Sequence, residues 1–198
     1  MTAVLAPARR GRQRSSAADQ AILAAALEVL AADGYNGLTM SAVIARAGVS
    51  SATLYRRWPT KQSLVAAALA SFAPVVVAAD TGTFEGDIAA LIDGLVCALS
   101  SQPDDIVDDI EVALRRHPEF RAALNEKFLA PRLLVLERIL ARARRRGEIG
   151  PGLAVDVAYS IVSGPLHHRI AVIGKPATPA FRRTLTRAAV TALRAVSS

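Results

Sequence analysis

The chain has 198 residues, long enough for one ordinary domain with a small one appended and for a sizeable buried core. Its single cysteine, Cys97, cannot form an internal disulfide, and no Cys/His set has metal-ligand spacing, so the sequence excludes a disulfide scaffold and a zinc module. The net charge is +7, and residues 1–61 carry eight basic groups against three acidic ones. This excess favours a polyanionic partner for the N-terminal end, with a solubilising basic tail as the alternative.

The sequence has no pattern typical of a targeting or membrane segment. The apolar residues near the N-terminus precede the arginines, and no later apolar stretch is long enough to cross a bilayer. We therefore expect a soluble, cytoplasmic protein.

Apolar residues recur at spacings of three and four, and strand-like alternation is nearly absent, which predicts an all-α protein. We expect a disordered basic arm over residues 1–15 and a first helix over 16–32 that Gly34 ends. Pro131 is expected to kink or break the longest of the later helices. These later helices are predicted at 40–47, 51–58, 61–79, 84–101, 104–116, 118–146, 154–172 and 178–196.

Residues 39–58 have the proportions of a helix-turn-helix. Thr39 is positioned to cap the first helix, Gly48 to end it in a left-handed turn, and Ser50 to cap the second helix. A second helix with small hydroxyl and basic residues on its exposed face can enter the major groove of DNA. The residues predicted on that face are Ser51, Ala52, Thr53, Arg56 and Arg57. The residues predicted to pack inward are Val49, Leu54 and Trp58.

A wider set of residues extends this pattern on both sides of the turn. Its members are Thr39, Ile44, Ala45, Ala47, Gly48, Val49, Ser50, Thr53, Leu54, Tyr55, Pro59, Lys61 and Leu64. Together they resemble the N-terminal signature of the tetracycline-repressor family, over roughly residues 21–65. The segments RRHPEFRAALNEKF and SGPLHHRIAVIGKP are similar to the C-terminal domain of one branch of that family. The resemblance implies an N-terminal three-helix DNA-binding domain over 16–62 and a C-terminal helical domain over 63–198 for ligand binding and dimerisation.

The resemblance also implies roles for single residues. Thr39 and Tyr55 would contact phosphates, and Lys61 would hold a phosphate at the start of its helix. Ser51 and Ala52 would face base edges with Thr53, although relatives often have lysine and glycine at the first two positions. The full predicted DNA-contacting set is Thr39, Ser50, Ser51, Ala52, Thr53, Tyr55, Arg56, Arg57 and Lys61. The arm arginines, expected either to enter the minor groove or to raise non-specific affinity, are Arg9, Arg10, Arg12 and Arg14.

A single helix-turn-helix contacts few bases, so we expect a homodimer that reads two half-sites related by twofold symmetry. The last two helices are the predicted interface, because their small residues let helices approach closely. The alternative is that the same faces pack within one subunit. The candidate interface residues are Tyr159, Val162, Leu166, Leu185, Ala189 and Leu193.

A small-molecule effector in the C-terminal domain is a further implication of the resemblance. The candidate residues for an apolar pocket, which are ordinary core residues in the alternative interpretation, are Phe72, Val96, Leu99, Ile110, Leu114 and Phe128. The acidic residues at 104, 105, 108, 109 and 111 suit either a cationic ligand or the start of a helix, whose dipole favours them.

No catalytic, metal-binding or cofactor-binding motif is evident, so we expect neither an enzyme nor a bound metal or cofactor. His167 and His168 are adjacent and point to different sides of a helix, so they do not form a chelating pair. Cys97 is expected to be a small buried apolar group.

The function predicted from the sequence is sequence-specific repression of transcription, relieved when a small ligand releases the protein from a palindromic DNA operator. Alternatives within the same fold are an activating or a ligand-independent regulator. Alternatives from other classes are a non-specific architectural DNA binder and a helical ligand-binding protein or enzyme.

Overall fold

The computed structural model describes residues 10–72, 74–100 and 104–197, with side chains from residue 16 onward except at 72, 100 and 104–109. Within these ranges the chain is helical and contains no β-strand, which confirms the predicted all-α class. The helices are α1 (Arg10–Gly37), α2 (Met40–Ala47), α3 (Ser51–Tyr55), α4 (Lys61–Phe72), α5 (Phe84–Ser100), α6 (Asp104–Arg116), α7 (Pro118–Leu124), α8 (Ala130–Arg145), α9 (Val155–His167) and α10 (Pro179–Val196). Two short π-helical segments, Asn125–Leu129 and His168–Val172, precede α8 and follow α9.

The first helix starts earlier than predicted. It begins at Arg10, within the expected disordered arm, where arginine and glutamine favour helix. Residues 1–9 of that arm lie outside the described residues. Gly34 interrupts the helix as expected, because its φ of 68° is one that glycine adopts without strain. One further turn follows it as far as Gly37.

The predicted end of α4 at residue 79 is wrong. The helix ends at Phe72, and residues 74–80 have no regular secondary structure. Pro74 explains the early end, since proline lacks an N–H donor and disfavours helical backbone at the residue before it. Pro131 has the predicted effect on the longest segment: it lies in the first turn of α8, directly after a π-helical segment.

The chain divides into two compact units, and the division differs from the predicted boundary at residue 62. The first unit contains the described residues through Ser71 together with Asp108–Leu124. The second contains Phe72–Val107 and the chain from Asn125 onward. A segment from the middle of the sequence therefore belongs with the helix-turn-helix.

The second unit has one large apolar core. The inward stripe of α5, which packs against α8, α9 and α10, consists of Phe84, Ile88, Leu91, Ile92 and Leu95. Cys97 lies on the opposite side of α5 and is exposed, so the expectation that it is buried is wrong. Asp93, four residues earlier, shares that solvent-facing side.

A buried ionic cluster ties the start of α5 to the end of α8. Asp87 is fully buried and accepts hydrogen bonds from the Thr81 backbone N–H at 2.7 Å and from Arg146 Nη2 at 3.2 Å. Arg142 Nη2 lies 3.4 Å from the same carboxylate. Burial alone would raise the pKa of Asp87, but the Thr81 hydrogen bonds and the two guanidinium groups outweigh it and lower that pKa.

Among the described helices, none combines the length and the apolar character needed to cross a membrane.

Candidate nucleic-acid interface

Local hydrogen bonds hold the corner between α2 and α3. Thr39 Oγ1 accepts from the Ala42 N–H at 3.1 Å and caps α2. Gly48 then takes a left-handed φ of 64°, and its N–H donates to the Ile44 carbonyl at 3.1 Å. Ser50 Oγ caps α3 by accepting from the Thr53 N–H at 3.3 Å. All three predicted helix-capping roles are confirmed, and they fix the direction in which α3 leaves the turn.

Apolar side chains underneath anchor both helices of the motif. Val43 and Leu54 are fully buried, so α2 and α3 each have an inner side. Val49 at the corner and Trp58 after α3 are half-buried, and the Trp58 N–H donates to the Leu54 carbonyl at 2.9 Å. The opposite side of α3 must therefore face away from the unit.

That outer side carries the predicted DNA-contacting residues. Tyr55 is 47% exposed, so its ring and hydroxyl are open to solvent. Thr53 is half-buried, and its hydroxyl lies 2.9 Å from Ser50 Oγ. The exposed members of the set on and beside α3 are Ser50, Ser51, Ala52, Tyr55 and Arg56.

The two neighbouring arginines have different environments. Arg57 forms an ion pair with Asp19 of α1 at 2.7 Å, with one-fifth of its side chain exposed. Arg56 is exposed on the outer side. The pairing of Arg57 joins the segment after α3 to the long first helix, whereas Arg56 is open to solvent.

Lys61 lies at the start of α4, as predicted, and its Nζ contacts the end of α1. It donates to the Asn36 carbonyl at 3.2 Å and lies 4.7 Å from the centre of the Tyr35 ring. Thr60 caps α4, since its Oγ1 accepts from the Ser63 N–H at 3.1 Å. The N-terminus of α4 thus combines a helix dipole with a cation, which suits an anion such as a phosphate.

Sequence reasoning missed Tyr35 and the α6–α7 corner that covers it. The Tyr35 ring is buried, 4.5 Å from the Phe120 ring and 5.3 Å from that of His117. Burial, with a smaller contribution from the charge of Glu119, raises the pKa of Tyr35 to about 12. Glu119 also accepts a hydrogen bond from Gln62 of α4. The available sequence signal was an aromatic residue directly after the interrupting Gly34.

The predicted pocket residues are divided between the two units. Ile110 and Leu114 belong to the first unit, with Ile110 buried. Val96 and Leu99 lie in the second unit, half-buried against its core. Phe128 lies in the π-helical segment of the second unit, and the Phe72 side chain is outside the described residues.

The predicted interface residues face the inside of their own unit. The set that joins its core consists of Val162, Leu166, Leu185, Ala189 and Leu193, with Tyr159 half-buried beside them. The alternative that these faces pack within one subunit is therefore what the structure has. An apolar stripe alone does not reveal which neighbour will cover it, and here the covering neighbours are α5 and α8.

No three His, Cys, Asp or Glu side chains meet as metal ligands would, within the ranges that the structure describes. The α2–α3 surface instead offers hydroxyls, an exposed aromatic ring and cations. Such groups make hydrogen bonds and ion pairs with phosphates and base edges.

Comparison with known protein families gives two matches along the chain. Residues 22–68 match the model described as bacterial regulatory proteins of the tetR family. Residues 78–189 match the model described as a tetracyclin repressor-like C-terminal domain. The second match covers more than half of the chain.

Individual proteins are similar to this chain over most of its length. A DNA-binding transcriptional repressor TetR of Mycobacteroides abscessus is 34% identical over 176 residues, which is 87% of this chain and 89% of that protein. The crystal structure of the TetR family transcription regulator SCO0332 superposes with a TM-score of 0.67 at 25% identity, covering 88% of this chain and 97% of the other. The transcriptional regulator FadR of Bacillus subtilis, solved in complex with stearoyl-CoA, has a TM-score of 0.57 at 20% identity and covers 88% of this chain and 97% of the other.

Proposed function

The chain belongs to the tetracycline-repressor family of helix-turn-helix transcriptional regulators, and from this we propose that it represses transcription from a palindromic operator until a small ligand releases it. The observation that carries the proposal is the outer side of α3. It presents Ser51, Tyr55 and Arg56 to solvent, while Leu54 anchors the helix from below. We propose no catalytic role.

Different residues of this surface contact the bases and the phosphates. Ser51, Ala52 and Thr53 lie in the first turn of α3, the part of a recognition helix that meets base edges in the major groove. Thr39 and Lys61 lie at the starts of α2 and α4, where helix N-termini favour phosphate oxygens. The phosphate contacts hold the protein in register on the DNA, and the base contacts select the sequence.

Reading a palindrome requires two copies of the chain, and we propose that they meet through the outer sides of α9 and α10. One exposed stripe of α10 consists of small residues, Ala180, Thr184, Ala188, Thr191 and Ala195, and it runs beside the exposed Arg183, Arg187 and Arg194. The exposed residues of α9 include Ser160 and Gly164. Ser160 and Thr184 hydrogen-bond to carbonyls of their own helices, so their hydroxyls need no partner across an interface. A surface of this kind lets helices pack closely in a four-helix arrangement.

Release by a ligand requires two conformations that the ligand distinguishes. A ligand can weaken operator binding only by its difference in affinity between the DNA-bound and released states. The FadR of Bacillus subtilis, which shares this fold, was solved in complex with stearoyl-CoA, and this supports the proposal that the present chain also binds a ligand.

A binding-site selection from genomic DNA with the purified protein tests the proposal. We expect one palindromic sequence to be enriched. Tyr55→Ala and Lys61→Gln should both weaken binding to it, and Lys61→Gln should also reduce the dependence of affinity on salt by about one counterion. Arg138→Gln, which removes one exposed charge from α8, is the matched control and should leave both quantities unchanged.

Enrichment of no sequence would end the specific-regulator proposal. Enrichment of a single, non-palindromic half-site would retain DNA reading but contradict the dimer. If Lys61→Gln and Arg138→Gln lose the same affinity for DNA, binding depends only on the total charge of the protein, as in an architectural DNA binder.

A further inference from the structure

One arginine of the second unit is buried without an acidic partner. Arg132, near the start of α8, is only 7% exposed. A guanidinium group withdrawn from water loses hydration that must be replaced, and a carboxylate usually replaces it. Among the described residues, no carboxylate is in ion-pair contact with Arg132, and burial lowers the pKa of its guanidinium. The buried Asp87 of the same unit, in contrast, is paired with Arg142 and Arg146.

The contacts of Arg132 are neutral and use only part of its donor capacity. Nη1 donates to the Phe128 carbonyl at 2.6 Å, four residues earlier. The guanidinium carbon lies 3.5 Å from the centre of the Phe128 ring, as in a stacked cation–π contact. A guanidinium has five N–H donors in a fixed fork, and Arg132 has no nitrogen that is both buried and without a hydrogen-bond partner. The N–H groups that Phe128 does not use can therefore be reached from solvent by an acceptor.

Tyr159 supplies a second polar group beside Arg132. It lies on α9, which packs against α8, and the positive charge of Arg132 acts to lower its pKa. Burial raises the pKa of Tyr159, so the hydroxyl keeps its proton and can donate. Val135 and Leu136, on the next turn of α8, belong to the apolar surroundings. A cation and a hydroxyl donor therefore share an apolar environment.

The π-helical segment before α8 contributes to this geometry. Pro131 lacks an N–H and cannot continue the hydrogen-bond ladder, and the chain takes five residues of π-helix just before it. Phe128 lies in that segment, so its ring and its carbonyl both reach the Arg132 side chain. π-helical turns occur often at functional sites.

We propose that Arg132 binds the carboxylate of an otherwise apolar effector, with the Tyr159 hydroxyl as a second donor and the Phe128 ring stacked on the guanidinium. The planar fork of arginine matches a carboxylate through two parallel hydrogen bonds, and an apolar environment strengthens them. This assigns an anionic rather than a cationic effector to the second unit. The inference depends on the proposed function only for the consequence of binding, which is release from DNA.

Thermal unfolding of the full-length protein tests the site without DNA. The probes are hexanoate, decanoate and benzoate, each beside its primary amide, which has nearly the same shape and no charge. We expect at least one of these carboxylates to raise the melting temperature and its amide to have no effect. Arg132→Met should weaken carboxylate binding about thirtyfold or more, as removal of one member of a buried charged pair does. Arg132→Lys, which keeps the charge without the fork, should retain part of the binding.

The unliganded variants give an independent result. A buried cation that serves to bind a ligand destabilises the protein when no ligand is bound. Arg132→Met should therefore melt at the same temperature as the wild type or higher. Arg138→Met, on the exposed side of the same helix, is the control for the loss of a charge from α8. An Arg132→Met variant that melts well below Arg138→Met would mean that Arg132 is a structural contact of Phe128, and the proposal would be overturned.

Three further outcomes overturn it: none of the three carboxylates stabilises the wild type, amides stabilise as well as carboxylates, or Arg132→Met binds carboxylates like the wild type. Operator binding separates this result from the proposed function. If carboxylates bind through Arg132 and no operator is enriched, the anion site stands and the regulator proposal falls. If an operator is enriched and carboxylates do not bind, the regulator proposal stands and the anion site falls.

Discussion

At the scale of single residues, the helix-turn-helix depends on positions where only one or two residue types fit. Gly48 has a positive φ, and a Cβ built there meets no atom within 4 Å. Glycine is therefore required at this position by the positive φ, and not because a side chain would be crowded. Ser50 follows at once and caps α3, so two adjacent local choices set the angle between α2 and α3.

Gly48→Ala should lower the free energy of unfolding by about 1 kcal/mol, because alanine in the left-handed region is strained. Gly48→Asn should cost less, since asparagine tolerates that region better. Urea unfolding followed by the fluorescence of Trp58, the only tryptophan of the chain, measures the first unit directly. If the two variants are equally stable, backbone strain is not the reason for glycine at this turn.

Local signals of this kind are the ones that a sequence carries most clearly. Thr39, Gly48 and Ser50 act within four residues of their own positions, and their roles were predictable. The end of α4 was mispredicted because apolar, helix-compatible residues continue past Pro74, whose effect the periodicity does not reveal. Arg132 carries no sequence signal, since burial of a charge depends on which helices cover it.

At the scale of elements, the ionic cluster around Asp87 joins parts of the second unit that are distant in sequence. Glu148, after α8, accepts hydrogen bonds from the Phe84 N–H at 2.8 Å and from Arg146 Nε at 2.5 Å. Burial would raise the pKa of Glu148, but the hydrogen bonds from Phe84 and Arg146 lower it, as they do for Asp87 with its own partners. The start of α5 and the end of α8 are thus held through carboxylates that must be ionised.

Because of these lowered pKa values, the second unit should lose stability as the pH falls into the acid range. A carboxylate whose pKa is lowered by folding stabilises the fold above its unfolded pKa of about 4, and the stabilisation is lost as the pH falls through the folded value. Asp87→Asn should therefore reduce the free energy of unfolding near neutral pH by about 2 kcal/mol, because it removes the buried charge that accepts from Thr81 and pairs with Arg142 and Arg146. The deficit relative to the wild type should shrink as the pH falls below 4.

Hydrogen exchange of α5 and α8 across a pH series measures this deficit locally. Asp93→Asn is the matched control on α5: its carboxylate pairs with Arg182 at 2.8 Å but is mostly exposed, so its loss should cost less than about 1 kcal/mol. A deficit for Asp87→Asn that stays constant down to acid pH would mean that shape, and not charge, stabilises this cluster.

At the scale of the whole molecule, the sequence predicted the all-α fold and the family, whereas each compact unit groups segments that are distant in the sequence. The segment Asp108–Leu124 joins the first unit through Phe120 and His117 against Tyr35. Such a contact spans more than eighty residues, and helical periodicity has no information about it. Apolar spacing also could not show which side of α9 and α10 packs inside the unit, because a core and a dimer interface have similar compositions.

The outer sides of these two helices carry the last prediction. Ala188→Arg puts a long charged side chain into the proposed interface, next to Arg187, and should yield a monomer at concentrations where the wild type is a dimer. Affinity for the full palindrome should fall about a hundredfold or more, since the second half-site is no longer held near the first. Affinity for a single half-site should not change, because α3 is untouched.

Ala122→Arg, at an exposed alanine of α7 in the first unit, is the matched control and should remain dimeric. Sedimentation velocity reports the assembly state and DNA titration the affinity. An Ala188→Arg protein that sediments as the wild-type dimer would show that the copies meet elsewhere on the second unit. If Ala188→Arg is monomeric and still binds the palindrome like the wild type, DNA reading does not depend on pairing, and the geometric link between dimer and operator is wrong.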